Sequence, residues 1–196
     1  MKVVAFNGSP RKDGNTRLLI EEVFKVLQTH GIETELIQVG GTNIRGCQAC
    51  EKCRKNLDFQ CSMKNDIGND CIRKAHDADA IIFGSPTYFS DVTAEMKALL
   101  DRLGYVSRAN GNFLNRKVGA SVVAVRRGGA THAFDTMNHT MQICGMFIVG
   151  ATYWNMGYGR EKGEVLNDSE GMKNMKALGE NMAWLLERIH SKGKDT

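Results

Sequence analysis

The chain has 196 residues, 42% of them hydrophobic and 24% charged, with 26 Lys and Arg against 22 Asp and Glu for a formal charge of +4. That length suits one α/β domain with a well-buried core, and a modest charge spread without a dense basic tract argues against nucleic acid as a partner. No apolar run approaches the roughly 20 residues that cross a bilayer, and the first residues lack a secretory signal's long apolar region, so a cytoplasmic protein without membrane contact is expected.

In chain order, Lys2 to Phe6 is a short β-branched run stopped by Asn7-Gly8-Ser9-Pro10. From Thr16 to Thr29, Leu19, Ile20, Val23, Phe24, Val26 and Leu27 recur at helical spacing, which predicts strand, loop and helix. Gly31 closes the helix, and Thr34 to Val39 is a second strand with Leu36, Ile37 and Val39 as its apolar members. A cysteine-rich insertion at about 44–63 follows. Asp66 to His76 then puts Ile67, Cys71, Ile72 and Ala75 on one helical face, ahead of an apolar strand from Ala80 to Phe83. Asp91 or Thr93 can cap a helix to Leu103 with Met96, Leu99, Leu100 and Leu103 as its core face. Val118 to Val125 reads as a fourth strand, Thr131 to Met146 as a helix and Phe147 to Ala151 as a fifth strand. Ser169 to His190 is a closing helix whose Met172, Met175, Leu178, Met182, Leu185 and Ile189 keep the helical period, a stripe for core packing. Ser191 to Thr196 reads as a frayed end. Alternating strands and helices predict one domain over residues 1–196, a doubly wound five-stranded parallel sheet in the order 2-1-3-4-5 with helices on both faces.

Both prolines of the chain follow Gly-Ser directly after an apolar strand, in Gly8-Ser9-Pro10 and Gly84-Ser85-Pro86. The predicted order makes those strands neighbours, and ligands of such sheets bind outside the carboxyl ends of the strands at the switch point. The first loop, Ser9-Pro10-Arg11-Lys12-Asp13-Gly14-Asn15-Thr16, runs into a helix start, where N–H groups, hydroxyls and cations converge as an anion site. It has neither Walker nor dinucleotide spacing, so a phosphate monoester fits it better than a triphosphate or pyrophosphate. The second loop, Ser85-Pro86-Thr87-Tyr88-Phe89-Ser90, offers aromatic rings beside exposed backbone, which suits a planar heterocycle. In a third, Arg126-Arg127-Gly128-Gly129-Ala130, glycines allow close backbone approach and an arginine could favour an anionic reduced ring.

Gly8-Ser9-Pro10-Arg11-Lys12 with Gly14-Asn15-Thr16, and then Gly84-Ser85-Pro86-Thr87-Tyr88-Phe89, resemble the NADPH-dependent FMN reductase and iron-sulfur flavoprotein branch of the flavodoxin-like superfamily. The resemblance spans essentially the whole chain and implies a flavodoxin-like three-layer fold. It places Ser9, Arg11, Asn15 and Thr16 at the FMN phosphate, and Pro86, Thr87, Tyr88 and Phe89 with Gly128 and Gly129 around the isoalloxazine. The flavin then carries the redox chemistry and no protein side chain acts as nucleophile.

Cys47, Cys50, Cys53 and Cys61 form C-x2-C-x2-C-x7-C after the second strand, on the same sheet edge as the proposed flavin. Four thiolates are what a [4Fe-4S] cluster requires, whereas zinc more naturally shows two separated C-x2-C knuckles. The insertion resembles the compact motif of archaeal and anaerobic bacterial iron-sulfur flavoproteins, homo-oligomers that pass electrons between cluster and FMN. Related flavin reductases keep cysteines here without a cluster, so free thiols stay open beside it. The resemblance implies a homodimer or homotetramer, with ferredoxin or NAD(P)H as electron donor. Rival readings are an NAD(P)H-dependent FMN or quinone-type reductase without a cluster, and a non-redox binding module on the same fold. Cys71 and Cys144 read as packing residues, His76, His132 and His139 as isolated, His30 and His190 as helix-end residues, and Asp91 as an N-cap. The stretch from Tyr153 to Tyr158 reads as a subunit contact over the site.

Overall fold

The structure, a computed structural model, describes residues 1–191. Residues 192–196, most of the end read as frayed, lie outside the described part. Strand β1 (Lys2–Asn7) leads to α1 (Asn15–Thr29) and β2 (Glu33–Gln38), and the insertion holds a short helix α2 (Lys52–Asn56) that no sequence signal announced. Then come α3 (Gly68–Asp77), β3 (Ala80–Pro86), α4 (Ala94–Ala109), β4 (Val118–Val125), α5 (Ala130–Ile143), β5 (Phe147–Ile148) and β6 (Met156–Tyr158). A 3-10 turn at Glu164–Asn167 precedes α6 (Ser169–His190).

The strands are parallel in the order β2-β1-β3-β4-β5, as the alternation predicts, with Val3 opposite Ala80 and Phe83 opposite Ser121. Successive residues of β1 face opposite sides of the sheet. Val3 and Ala5 join Leu19, Val23 and Leu27 of α1 and Met175, Leu178 and Met182 of α6 in one core. Val4 and Phe6 join Ile72 of α3, Leu99 of α4 and Met137 of α5 in the other. The methionine stripe is therefore core, with Met175 and Met182 fully buried, but toward the helix end Leu186 takes the fully buried place instead of Leu185, and Ile189 is exposed. Cys71 and Cys144 are buried too, and burial pushes the Cys71 thiol up to about 12.

Three boundaries differ from the sequence reading. Helix α4 runs past Leu103 to Ala109, because Val106 and Ser107 continue its buried face and Gly104 packs beside Cys144. Helix α5 stops at Ile143, short of Met146, where Gly145 turns the chain at φ 71°. The fifth strand is split. Phe147 and Ile148 pair with Val118 and Gly119, the chain leaves the sheet, and Met156 to Tyr158 return to pair with Val123 to Val125. Side chains hold this excursion. The buried Asn155 amide donates to Val149 O at 3.3 Å, and Asn174 of α6 accepts from Tyr153 N at 3.0 Å and donates to Trp154 O at 2.7 Å. Thus Met156 and Tyr158 belong to the sheet, while Tyr153 and Trp154 stay exposed.

Candidate functional site

The two Gly-Ser-Pro loops meet at the carboxyl end of the sheet. Gly8 N donates to Gly84 O at 2.7 Å, Thr93 Oγ1 donates to Gly8 O at 2.8 Å, and Thr93 N donates to Ser85 Oγ at 3.1 Å. Thr93 Oγ1 also accepts from Met96 N at 3.3 Å, so Thr93, not Asp91, caps α4. Asp91 instead accepts from Thr136 Oγ1 at 2.7 Å and lies 3.5 Å from His132 Nε2. On the other side Asn7 donates to Gln38 Oε1 at 2.8 Å, and the Gln38 amide donates to Ser9 O and Gly40 O at 2.6 and 2.7 Å. Residues from three strand ends thus fix the first loop before any ligand arrives.

One cleft of about 250 Å³ collects Ser9, Arg11, Asn15, Thr16, Pro86, Thr87 and Tyr88. Its floor is the start of α1. Gly14 at the N-cap gives no side-chain bond, and the first turn has no acidic residue, so its N–H groups face the cleft as a region of partial positive charge. Thr16 Oγ1 and Thr87 Oγ1 are buried with no hydrogen-bond partner. Buried hydroxyls are rarely left so, and two in one cleft mark places where a ligand oxygen or ring edge completes the set. Phosphate-type oxygens fit the first and a polar heterocycle edge the second.

Asn15 has another task. Its amide donates to Glu161 O at 2.9 Å and accepts from Gly163 N at 2.9 Å, clasping the chain after β6 across the cleft. Arg11 reaches the same segment through Arg160 O at 3.4 Å. That segment adds Gly159 and Arg160 to the lining, and the end of β4 adds Ala124 and Arg126. The strand-end rule that found the first two loops also covers Gly159 and Arg160, but it needed β6 to be seen as a strand. Gly159 is fixed by space: a side chain there would stand 2.6 Å from Val165 N and 2.8 Å from the Asn15 amide. Phe89, 97% exposed, and Gly128 and Gly129 lie outside the cleft lining. Phe89 and Ser90 form a turn tip with φ of 46° and 72°, closed by Tyr88 N donating to Asp91 O at 2.7 Å. Gly129 caps α5 in the left-handed region and packs that tip's base, its would-be Cβ 3.1 Å from Thr87 Cγ2.

The insertion builds a second cavity, lined by all four of Cys47, Cys50, Cys53 and Cys61 together with Arg102, Tyr105 and Val106 of α4. The loop starts at the carboxyl edge of the sheet but folds down along α4. Arg102 and Val106 come 8 and 12 residues after Ala94, roughly 12–18 Å along the helix. Ala49, Glu51, Leu57 and Phe59 all adopt positive φ, from 51° to 59°, so the backbone is strained around the sulfurs. The Ser62 hydroxyl, 3.2 Å away, pulls the Cys50 thiol below its ordinary value, while burial pushes Cys53 up, with the Cys47 and Cys61 sulfurs adding to the rise. Among the described residues, no three of His, Cys, Asp and Glu are gathered tightly enough to hold a single metal ion.

Residues 1–161 match the NADPH-dependent FMN reductase family. The chain belongs to that family. It is thus a flavin-dependent oxidoreductase of an FMN-binding family with a flavodoxin-like fold. An iron-sulfur flavoprotein of Methanocaldococcus jannaschii is 34% identical, the alignment covering 96% of this chain and 99% of the relative. The crystal structure of RosB with its bound riboflavin-phosphate intermediate superposes with a TM-score of 0.75 at 17% identity, over 98% of this chain and 81% of RosB. A flavodoxin from the domain Archaea gives 0.62 at 16% identity, over 95% and 99%. These two share the fold. No helix among the described residues is long and apolar enough to cross a membrane.

Proposed function

We propose that the protein passes electrons between FMN in the cleft and a [4Fe-4S] cluster held by Cys47, Cys50, Cys53 and Cys61. The observation that carries this reading is the gathering of all four cysteines around one cavity with a buried cation in its wall. A zinc ion needs its sulfurs at about 2.3 Å from one point, whereas a cluster takes one thiolate at each of four iron corners. The four cysteines lining one cavity support the cluster, as does the iron-sulfur name of the jannaschii relative. When bound, the flavin supplies hydride and one-electron chemistry and the cluster one-electron transfer.

The chain's own residues bind and orient. The α1 amides, the Thr16 and Ser9 hydroxyls and Arg11 hold the phosphate, while Pro86, Thr87, Tyr88 and Arg126 frame the ring. Asn15 serves by closing the 159–163 segment over the cleft. One ring face stays open on a single chain. The exposed Tyr88, Phe89, Tyr153 and Trp154 support a homo-oligomer in which a neighbouring copy covers it. Ferredoxin or NAD(P)H is the donor. The test is a set of single serine replacements at the four cysteines, prepared without oxygen. Each should lose iron and sulfide together and keep FMN, and reduction by ferredoxin should slow far more than reduction by a hydride donor. Wild type that holds FMN but no iron, even after reconstitution with iron and sulfide, would leave a plain NAD(P)H-dependent reductase with a cysteine-rich loop.

A further inference from the structure

Arg102 heads the fully buried side chains by volume, and its guanidinium is wholly out of solvent. A charge so placed is costly unless its surroundings are built for it. Nη1 donates to Asp66 Oδ2 at 2.6 Å and to Arg45 O at 3.3 Å, and Nη2 donates to Met63 O at 3.2 Å. Nε–H is buried with no partner. Arg102 lines the cysteine cavity and Asp66 does not, so the cation stands between the cavity and the carboxylate it pairs with. Asp66 is also held from behind, accepting from Arg45 N at 3.1 Å and Gly68 N at 2.9 Å. A side chain at Gly68 would overlap the guanidinium itself, so the start of α3 leaves room for this cation. Burial would lower the guanidinium, but Asp66 and the Cys61 sulfur outweigh it and hold Arg102 above its ordinary value.

We propose that Arg102 is a positioning residue for the cluster: its free Nε–H donates to sulfur at the Cys61 corner, and its fixed charge raises the cluster's reduction potential. The inference rests on the reading of the four cysteines given above. Each electron taken up makes a thiolate-bound cluster more negative, and a permanent cation in a dry wall stabilises the more negative state. Net charge and hydrogen bonds to the sulfurs are the levers by which a protein sets such potentials. No bond forms or breaks at Arg102, and the electron only passes by it. Asp66 tempers the effect by offsetting part of the charge, so the two residues pull the potential in opposite directions.

The experiment is a redox titration followed by electron paramagnetic resonance on anaerobically reconstituted wild type, Arg102→Met, Arg102→Lys and Asp66→Asn, with FMN content as the check on folding. Arg102→Met should make cluster reduction at least tenfold less favourable, a shift of about 59 mV to lower potential. Arg102→Lys, which keeps the charge, should stay within a few-fold of wild type, and Asp66→Asn should shift the other way. Potentials unchanged in Arg102→Met, or Arg102→Met and Asp66→Asn moving together, would overturn the proposal while leaving the cluster in place. If Arg102→Met does not retain FMN, Asp66→Asn decides, and a potential that does not rise overturns it. Wild type that takes up no iron would overturn the cluster reading and this inference with it.

Discussion

The loop at residues 8–16 and the loop at 45–63 both serve as candidate ligand sites, yet they are built in opposite ways. The first is tied by backbone and amide bonds to β1, β2, β3 and α4, through Gly8 to Gly84, Gln38 to Ser9 and Thr93 to Gly8. The second has most of residues 45–60 exposed, four non-glycine residues at positive φ, and few anchors, chiefly Asn110 to Phe59, Asn69 to Cys61 and the Arg102–Asp66 pair. A site made from helix and strand ends is preorganised by the fold. A site made from side chains on a wandering loop depends on what binds it, and metal binding commonly contributes to folding in such loops.

The largest expected effect breaks the second region. Asp66→Ala leaves a buried guanidinium unpaired and should cost about 3–5 kcal/mol in stability, read from denaturant midpoints at constant m. The same pair gives a pH signature. Burial opposes ionisation of Asp66, but Arg102, with the Gly68 and Arg45 N–H groups, overrides it and holds the carboxyl below its ordinary value. A group depressed in the folded state contributes stability above its unfolded pKa, and that stability is lost as pH falls through the folded value. Wild type should therefore lose its advantage over Asp66→Asn on acidification below about pH 4, and an advantage independent of pH would show that Asp66 is not ionised.

The next effect sharpens the first region without unfolding it. Arg11→Ala and Thr16→Ala should each weaken FMN by about 1.5–3 kcal/mol while changing riboflavin far less, since only FMN carries the phosphate. Calorimetric affinities for the two flavins decide it, and equal losses would move the phosphate elsewhere. Asn15→Ala gives a contrasting outcome, weakening both flavins alike, because its amide closes the 159–163 segment.

The smallest effect joins the two regions. Thr93→Ala removes the α4 cap and the bond to Gly8 O, and should cost about 0.5–2 kcal/mol. It should lower FMN affinity but leave iron uptake intact, measured on one preparation.

What was legible in the sequence divides along the same line. Strand β1, helix α1 and both Gly-Ser-Pro loops are written locally, in β-branched runs, helical spacing and turn residues, and the structure brings Ser9, Arg11, Thr16, Pro86, Thr87 and Tyr88 into one cleft. The role of Asn15 was not legible, because its partners stand 146 and 148 residues away. Nor was the split of the fifth strand, which rests on Asn155 and on Asn174 from a later helix. Phe89, expected beside the isoalloxazine, stands on an exposed turn tip whose positive φ no local sequence pattern announces. Arg102 carries no motif at all. A charged residue on a helix reads as surface until Asp66 and the insertion are seen to cover it.

The most direct measurement is the amount of iron, sulfide and FMN per chain in protein purified and reconstituted with iron and sulfide in the absence of oxygen. One [4Fe-4S] cluster beside one flavin requires about four irons and four sulfides with one FMN per chain. Stoichiometric FMN with no iron would contradict it.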